Sequence, residues 1–230
     1  MIKLFIDDKV SLGREVNLIH RRTLMKVDRA RIVATALELL NEVGIDALST
    51  RAIAQRLGVQ QPALYWHFAN RRALLDALNL EILARGHTRS QPVPGEAWQV
   101  FLRENGKSFR RALLAYRDGA RVHAGTEADP QDLADVEAQI AFLVAAGFPV
   151  GRAMEVLVAI SRYVVGCVLE EQAEPLDGEA ETEVLDEAVQ AYPLLAQALA
   201  SYRQSGYGTM FERGLDLIVR GAEVSLATAG

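Results

Sequence analysis

An all-α fold is what this sequence predicts, and three observations predict it. Apolar residues recur at helical spacing in one run after another. No alternating apolar–polar stretch of useful length for a strand appears anywhere. The runs are separated by the residues that start and stop helices. From Asp28 the positions Ile32, Val33, Ala36, Leu39, Leu40 and Val43 mark one face of a first helix, which Gly44 ends. Leu48, Ser49 and Thr50 follow, and a hydroxyl there can cap a second helix over 51–57. Gly58 and Val59 make a turn, and Pro62 opens a short third helix ending near His67, at a position where the missing N–H is harmless. A long helix over 70–85 carries Leu74, Leu75, Leu78, Ile82 and Leu83 on one side. Residues 90–95, with Pro92 and Pro94, read as a linker. Further amphipathic runs cover 97–116, 132–146, 150–172 and 209–226, with an acidic, small-residue loop at 173–185.

At 230 residues the chain can hold one small and one medium domain and bury a real core. Residues 1–24 show no clean period, so they read as a leader of uncertain order before a head at 25–70 and a body at 71–230. No run approaches the roughly 18 apolar residues of a membrane span. The opening residues lack an apolar secretory core, and the single Cys167 has no intramolecular partner. These features fit a cytoplasmic protein without membrane partners. Net charge is −5, yet residues 1–90 carry 14 Lys and Arg against 9 Asp and Glu, while 91–230 carry 11 against 21. A basic end on an acidic body points to a polyanion at one end.

Three short helices in about forty residues, the last two joined by a tight turn, make a helix-turn-helix. Ala54 is small where the third helix crosses, and Ile53, Leu57, Leu64 and Phe68 are its inward positions. That leaves Gln61, Pro62, Ala63, Tyr65, Trp66 and His67 on or near the outer face, with Thr50 and Arg51 at the start of the second helix. Exposed Tyr, Trp and His in a row suit phosphate contacts and thymine methyl packing. Gln61 can pair with adenine, and Arg51 can reach guanine. Arg71 would sit by a phosphate. The bland alternative is three small helices capping a bundle, with the aromatics buried between domains.

The run Gln61-Pro62-Ala63-Leu64-Tyr65-Trp66-His67-Phe68, followed by Asn70-Arg71-Arg72-Ala73-Leu74-Leu75-Asp76-Ala77-Leu78, closely resembles the DNA-binding domain of tetracycline repressors. The resemblance continues through Tyr116-Arg117-Asp118-Gly119-Ala120-Arg121-Val122-His123-Ala124-Gly125-Thr126 and Gly166-Cys167-Val168-Leu169-Glu170-Glu171-Gln172. It implies a homodimer whose last two long helices form a four-helix bundle with the partner's. It also implies operator DNA as target and a magnesium-bound tetracycline as inducer. Residue by residue, His123 matches a magnesium-ligating imidazole and Thr126 the turn that closes over the metal. Glu170 matches an acid that reaches metal-bound water from the partner subunit. His87, Asn105 and Phe109 match the grip on the drug's first ring, Gln139 another polar contact, and Val136 and Ile140 apolar wall. Two places depart: Glu127-Ala128-Asp129, where an Arg and a Pro are usual, and Arg162 at a variable position. The resemblance also implies that Gly119 and Gly125 leave the segment 119–126 free to rearrange on the metal.

Each site residue has an ordinary reading as well. His87 and His123 lack metal-ligand spacing, Phe109 stands at core spacing with Leu102 and Leu113, and Glu170 beside Glu171 could be solvated surface. An alternative within the class is a repressor of the same fold answering another small ligand. An enzyme would need a motif this chain lacks. Gly206-Tyr207-Gly208 is followed by Phe211 where a dinucleotide loop needs a third glycine, and no GxSxG, HExxH or paired-Cys motif occurs. The expectation is therefore a non-enzymatic regulator.

Overall fold

Three of the helices begin where a side chain satisfies an open N–H group. The computed structural model describes residues 27–126, 133–173 and 187–227. Among these every long regular element is a helix: α1 (Arg29–Ala47), α2 (Thr50–Leu57), α3 (Pro62–Tyr65), α4 (Arg71–Gly86), α5 (Trp98–Leu114), α6 (Gly119–Ala124), α7 (Leu133–Ala145), α8 (Val150–Gln172) and α9 (Pro193–Ala227). The leader at 1–24, the departure at Glu127-Ala128-Asp129 and nearly all of the acidic loop lie outside the described residues. Asp28 accepts from Arg31 N at 2.8 Å, Ser49 from Ala52 N at 3.1 Å and Asn70 from Ala73 N at 2.9 Å, so α1, α2 and α4 all start on capping side chains. Gly58 closes α2 with a left-handed φ of 69°.

Gly44 does not end α1 outright. It sits at φ 76°, ψ 172°, and a further turn runs on to Ala47. A Cβ there would stand 2.9 Å from Asp118 Oδ2 and 3.1 Å from Arg117 Nε, so both the backbone and the neighbouring loop require glycine. Asp118 is the one described non-glycine residue with positive φ, 58°. Its Oδ2 accepts from Ile45 N at 2.8 Å, and Arg117 N donates to Asn41 Oδ1 at 2.8 Å. The start of α6 is thus stitched to the end of α1.

The core is continuous from head to body. Ile32, Leu37, Leu40, Ile53 and Leu64 fill the head, and Leu78, Ile82, Phe101, Leu102, Leu113 and Val164 carry the same core onward. The element that connects them is α4, which packs on α1 at one end and on α5 and α6 at the other. At its far end Gly86 lets α5 approach: a Cβ there would lie 2.7 Å from both Cα and Cβ of Ala112.

In the segment 119–126 a helical turn runs over 119–124. Gly119 is wedged there, with its missing Cβ only 2.1 Å from the Leu113 carbonyl oxygen. The last helix, expected from Thr209, begins at Pro193 and is broken at Gly206 (φ 66°, ψ 162°). No described helix is long and apolar enough to cross a membrane.

Candidate functional site

Two surfaces carry the residues singled out above. On the head, Tyr65 is 51% and Trp66 89% exposed, while Leu64 and Phe68 beside them are buried against α1. The period of this short helix therefore turns its large aromatics outward, where burial cannot explain them. Pro62 is exposed, Ala63 and His67 half-exposed, and Arg51 exposed at the start of α2. Gln61 Nε2 donates to Thr50 Oγ1 at 2.9 Å and to Tyr65 Oη at 3.3 Å, tying α2 to α3. The Arg71 guanidinium donates to the carbonyls of Leu48 and, at 2.6 Å, Ile45, closing the open end of α1. Its side of α4 stays exposed.

In the body, α4, α5, α7 and α8 surround a cavity of about 550 Å³, within the range of small-molecule sites. His87, Asn105, Phe109, His123, Val136 and Gln139 all line it. Residues spread over 52 positions of sequence therefore converge on one wall. Ile140, expected as wall, packs half-buried against the core instead and does not line the cavity. Thr126 does not line the cavity; its Oγ1 donates to the His123 carbonyl at 2.7 Å. Glu170 stands exposed near the end of α8 and does not line the cavity, while its neighbour Glu171 pairs with Arg110. Arg162 is exposed on the same helix.

Three rings form a ladder along the wall. Phe109 lies 5.4 Å from His87 at 41°, and 5.0 Å from His123 edge-on at 74°. Ser108, fully buried, holds the His87 end. Its Oγ is 3.2 Å from His87 Nδ1 and accepts from Arg89 N at 3.1 Å. Asn105 Nδ2 donates to the Arg89 carbonyl at 2.9 Å and stands 3.5 Å from His87 Nε2. Gln139 Nε2 donates to the Ser90 carbonyl at 2.7 Å, fixing α7 against the loop that follows α4.

Burial pushes the His87 imidazole down to about 4, against a smaller upward pull from Asp135. Burial also lowers His123. Both rings are therefore neutral near pH 7. The buried Asn79, on α4, places Oδ1 2.9 Å from His123 Nδ1. That oxygen can only accept, so Nδ1 carries the proton and Nε2 keeps its lone pair, the form in which an imidazole ligates a cation. No group of three or more His, Cys, Asp or Glu among the described residues could hold a metal by itself. A hard divalent ion that keeps waters and takes ligand oxygens needs no more than one such nitrogen, so His123 fits it.

Ser108 and Asn79 escaped the sequence reading. Asn79 had a signal, being a polar residue inside the apolar run Leu78 to Leu80; Ser108 had none, because a serine between Lys107 and Phe109 looks like any other.

A helix-turn-helix head joined by one helix to a body that encloses an apolar-walled, polar-tipped cavity is the plan of a ligand-binding transcriptional regulator. The chain belongs to the TetR family. The model of bacterial regulatory proteins of the tetR family matches residues 32–78, and that of the tetracyclin repressor-like C-terminal domain matches 91–226. Tetracycline repressor protein class C of Escherichia coli is 50% identical over 200 residues, 86% of this chain and 91% of the relative. A TetR variant from Acinetobacter baumannii AYE, solved in complex with minocycline, is 49% identical with a TM-score of 0.72, over 86% of this chain and 97% of that one. The class A TetR, solved with 5a,6-anhydrotetracycline and magnesium, is 43% identical with a TM-score of 0.68, over 86% and 98%.

Proposed function

We propose that this protein is a tetracycline-responsive transcriptional repressor, a homodimer that holds a palindromic operator and lets go when a magnesium–tetracycline complex enters the body. The single observation that carries the reading is the His87–Phe109–His123 ladder, with two neutral imidazoles at opposite ends of one cavity wall. Asn105 and Gln139 lie within the same cavity. Residues 25–70 are the DNA-binding domain in this reading and 71–230 the effector and dimerisation domain. Thr50, Arg51, Gln61, Pro62, Ala63, Tyr65, Trp66, His67 and Arg71 face the operator. Exposed Val150 and Met154 on α8 and Leu217 and Val224 on α9 supply the apolar surface a second copy would cover.

His123 Nε2 would hold the magnesium ion, with Thr126 in the turn beside it and Glu170 of the partner subunit reaching its water. The ion supplies positive charge that gathers the drug's oxygens at this end of the cavity. The chain's own residues do the rest. Asn79 keeps the His123 tautomer, Ser108 orients His87, and Phe109 presents its ring between them. A ligand that touches His87 touches the end of α4, whose other end is anchored in the head by Arg71. That route couples the two sites, and by linkage operator and drug must weaken each other by one factor.

The test is titration of the purified protein with tetracycline and magnesium, with and without operator. The expected result is a weaker drug affinity on DNA, by at least about fivefold. Equal affinities with and without operator overturn the reading.

A further inference from the structure

Asp135 lines the cavity from the first turn of α7, and nothing in the reading above uses it. Among the described residues that line the cavity it is the one Asp, Glu, Lys or Arg. The remaining lining is apolar or neutral, both histidines included, and no Lys or Arg lines the cavity. Among the described residues its carboxylate forms no ion pair. Among the described residues its one hydrogen bond comes from the amide of Gln91, which can satisfy part of one oxygen but brings no charge. Gln91 directly follows Arg89 and Ser90, whose carbonyls receive Asn105 and Gln139, so Asp135 sits at the edge of the cavity shared by Asn105 and His87. A carboxylate half-sheltered in a cleft with no counter-charge makes the cleft select a cation.

We propose that Asp135 is a specificity-determining residue that receives a protonated amine on the ligand at the His87–Asn105 edge. The proposal rests on the tetracycline reading. The first ring of a tetracycline, the ring assigned above to His87, Asn105 and Phe109, carries a dimethylamino group that is protonated in water near neutral pH. One bound molecule then presents opposite charges to the two ends of the cavity. Its oxygens go with the cation at His123, and its ammonium meets the carboxylate at Asp135. Such a pair would hold the first-ring end of the drug as the cation at His123 would hold the other. A fully exposed ion pair changes affinity by no more than about fivefold. Partial shelter in the cavity raises the expected preference to about tenfold.

The experiment compares tetracycline with dedimethylaminotetracycline, which lacks that amine, both with magnesium, on the full-length protein and its Asp135→Asn and Asp135→Ala variants. The expected result is an unmodified protein that prefers tetracycline by about tenfold and variants in which the preference falls to about twofold or less. Affinity for the amine-free drug should hold within about twofold, and operator binding should be unchanged, which shows that the variants fold. A preference that survives in both variants overturns the proposal, and so does an equal loss for the two drugs, the signature of a merely structural Gln91–Asp135 contact. If neither drug binds the unmodified protein, the tetracycline reading itself fails and takes this proposal with it.

Discussion

Replacing Asp118 by Ala removes three things at once, and the structure gives a size to each. The Ile45 amide loses its acceptor at 2.8 Å, a charge-assisted bond in a half-buried place; bonds of this kind are worth about 1.5–3 kcal/mol. An alanine must then hold φ near 58°, where Asp is tolerated because its short side chain bonds locally; the penalty is about 1 kcal/mol. Arg121 loses the more distant of its two partners, and at 3.3 Å with the guanidinium 44% exposed that pair contributes almost nothing. The sum is a destabilisation of about 2.5–4 kcal/mol. Asp118→Asn keeps an acceptor and a residue comfortable with positive φ, so about 1 kcal/mol is expected for it. Urea unfolding at fixed protein concentration measures both, with an unchanged m-value as the sign that only stability moved. Equal losses for Asn and Ala, or an Ala loss under 1 kcal/mol, would refute the reasoning and leave the α1–α6 stitching a passive contact.

Stability should fall as pH falls from about 6.5 to about 4 and level off below, because the unfolded chain takes up a proton that buried His87 refuses. His123 acts in the same direction, and His87→Asn should flatten much of this slope in denaturation followed at several pH values. Gly86→Ala puts a Cβ 2.7 Å from Ala112, and overpacking of this kind should lower stability by about 1–3 kcal/mol in the same assay. Arg51→Ala should weaken operator binding by about 1–3 kcal/mol with relaxed preference at one base pair per half-site; uniform weakening on every sequence in a competition gel would make Arg51 a phosphate contact. His123→Ala should remove the magnesium dependence of tetracycline binding and leave operator affinity intact, as read by titration with and without chelator.

The head was legible because its rules are local. Asp28, Ser49 and Asn70 are capping residues at the places where helices start, and Gly58 is where one stops. The long helices followed from apolar spacing, α8 to the residue. What escaped is non-local. The turn of helix at 119–124 forms although Gly119 is a poor helix residue, because α6 is held by Asp118 to α1 and by Gln172 Oε1, which accepts from Ala120 N at 3.2 Å. The helix from Pro193 to the break at Gly206 has no clean apolar stripe: Leu194 is 82% and Leu195 46% exposed. Of the residues carried by the resemblance, His87, Asn105, Phe109, His123, Val136 and Gln139 came together in the cavity, and Ile140, Thr126 and Glu170 do not line it. Their supports did not announce themselves, since Ser108 and Asn79 matter only through what lies 21 and 44 residues away.

Trp66, nearly bare on the face of the head, and Trp98, buried edge-on against Phe148, are the chain's two indoles. They differ in solvent contact as much as two indoles can, so their emission separates without any label. Steady-state quenching by a small solute addresses the first and spares the second. A Trp98→Phe protein therefore carries its own optical probe of the DNA-reading surface, and a Trp66→Phe protein one of the packed body.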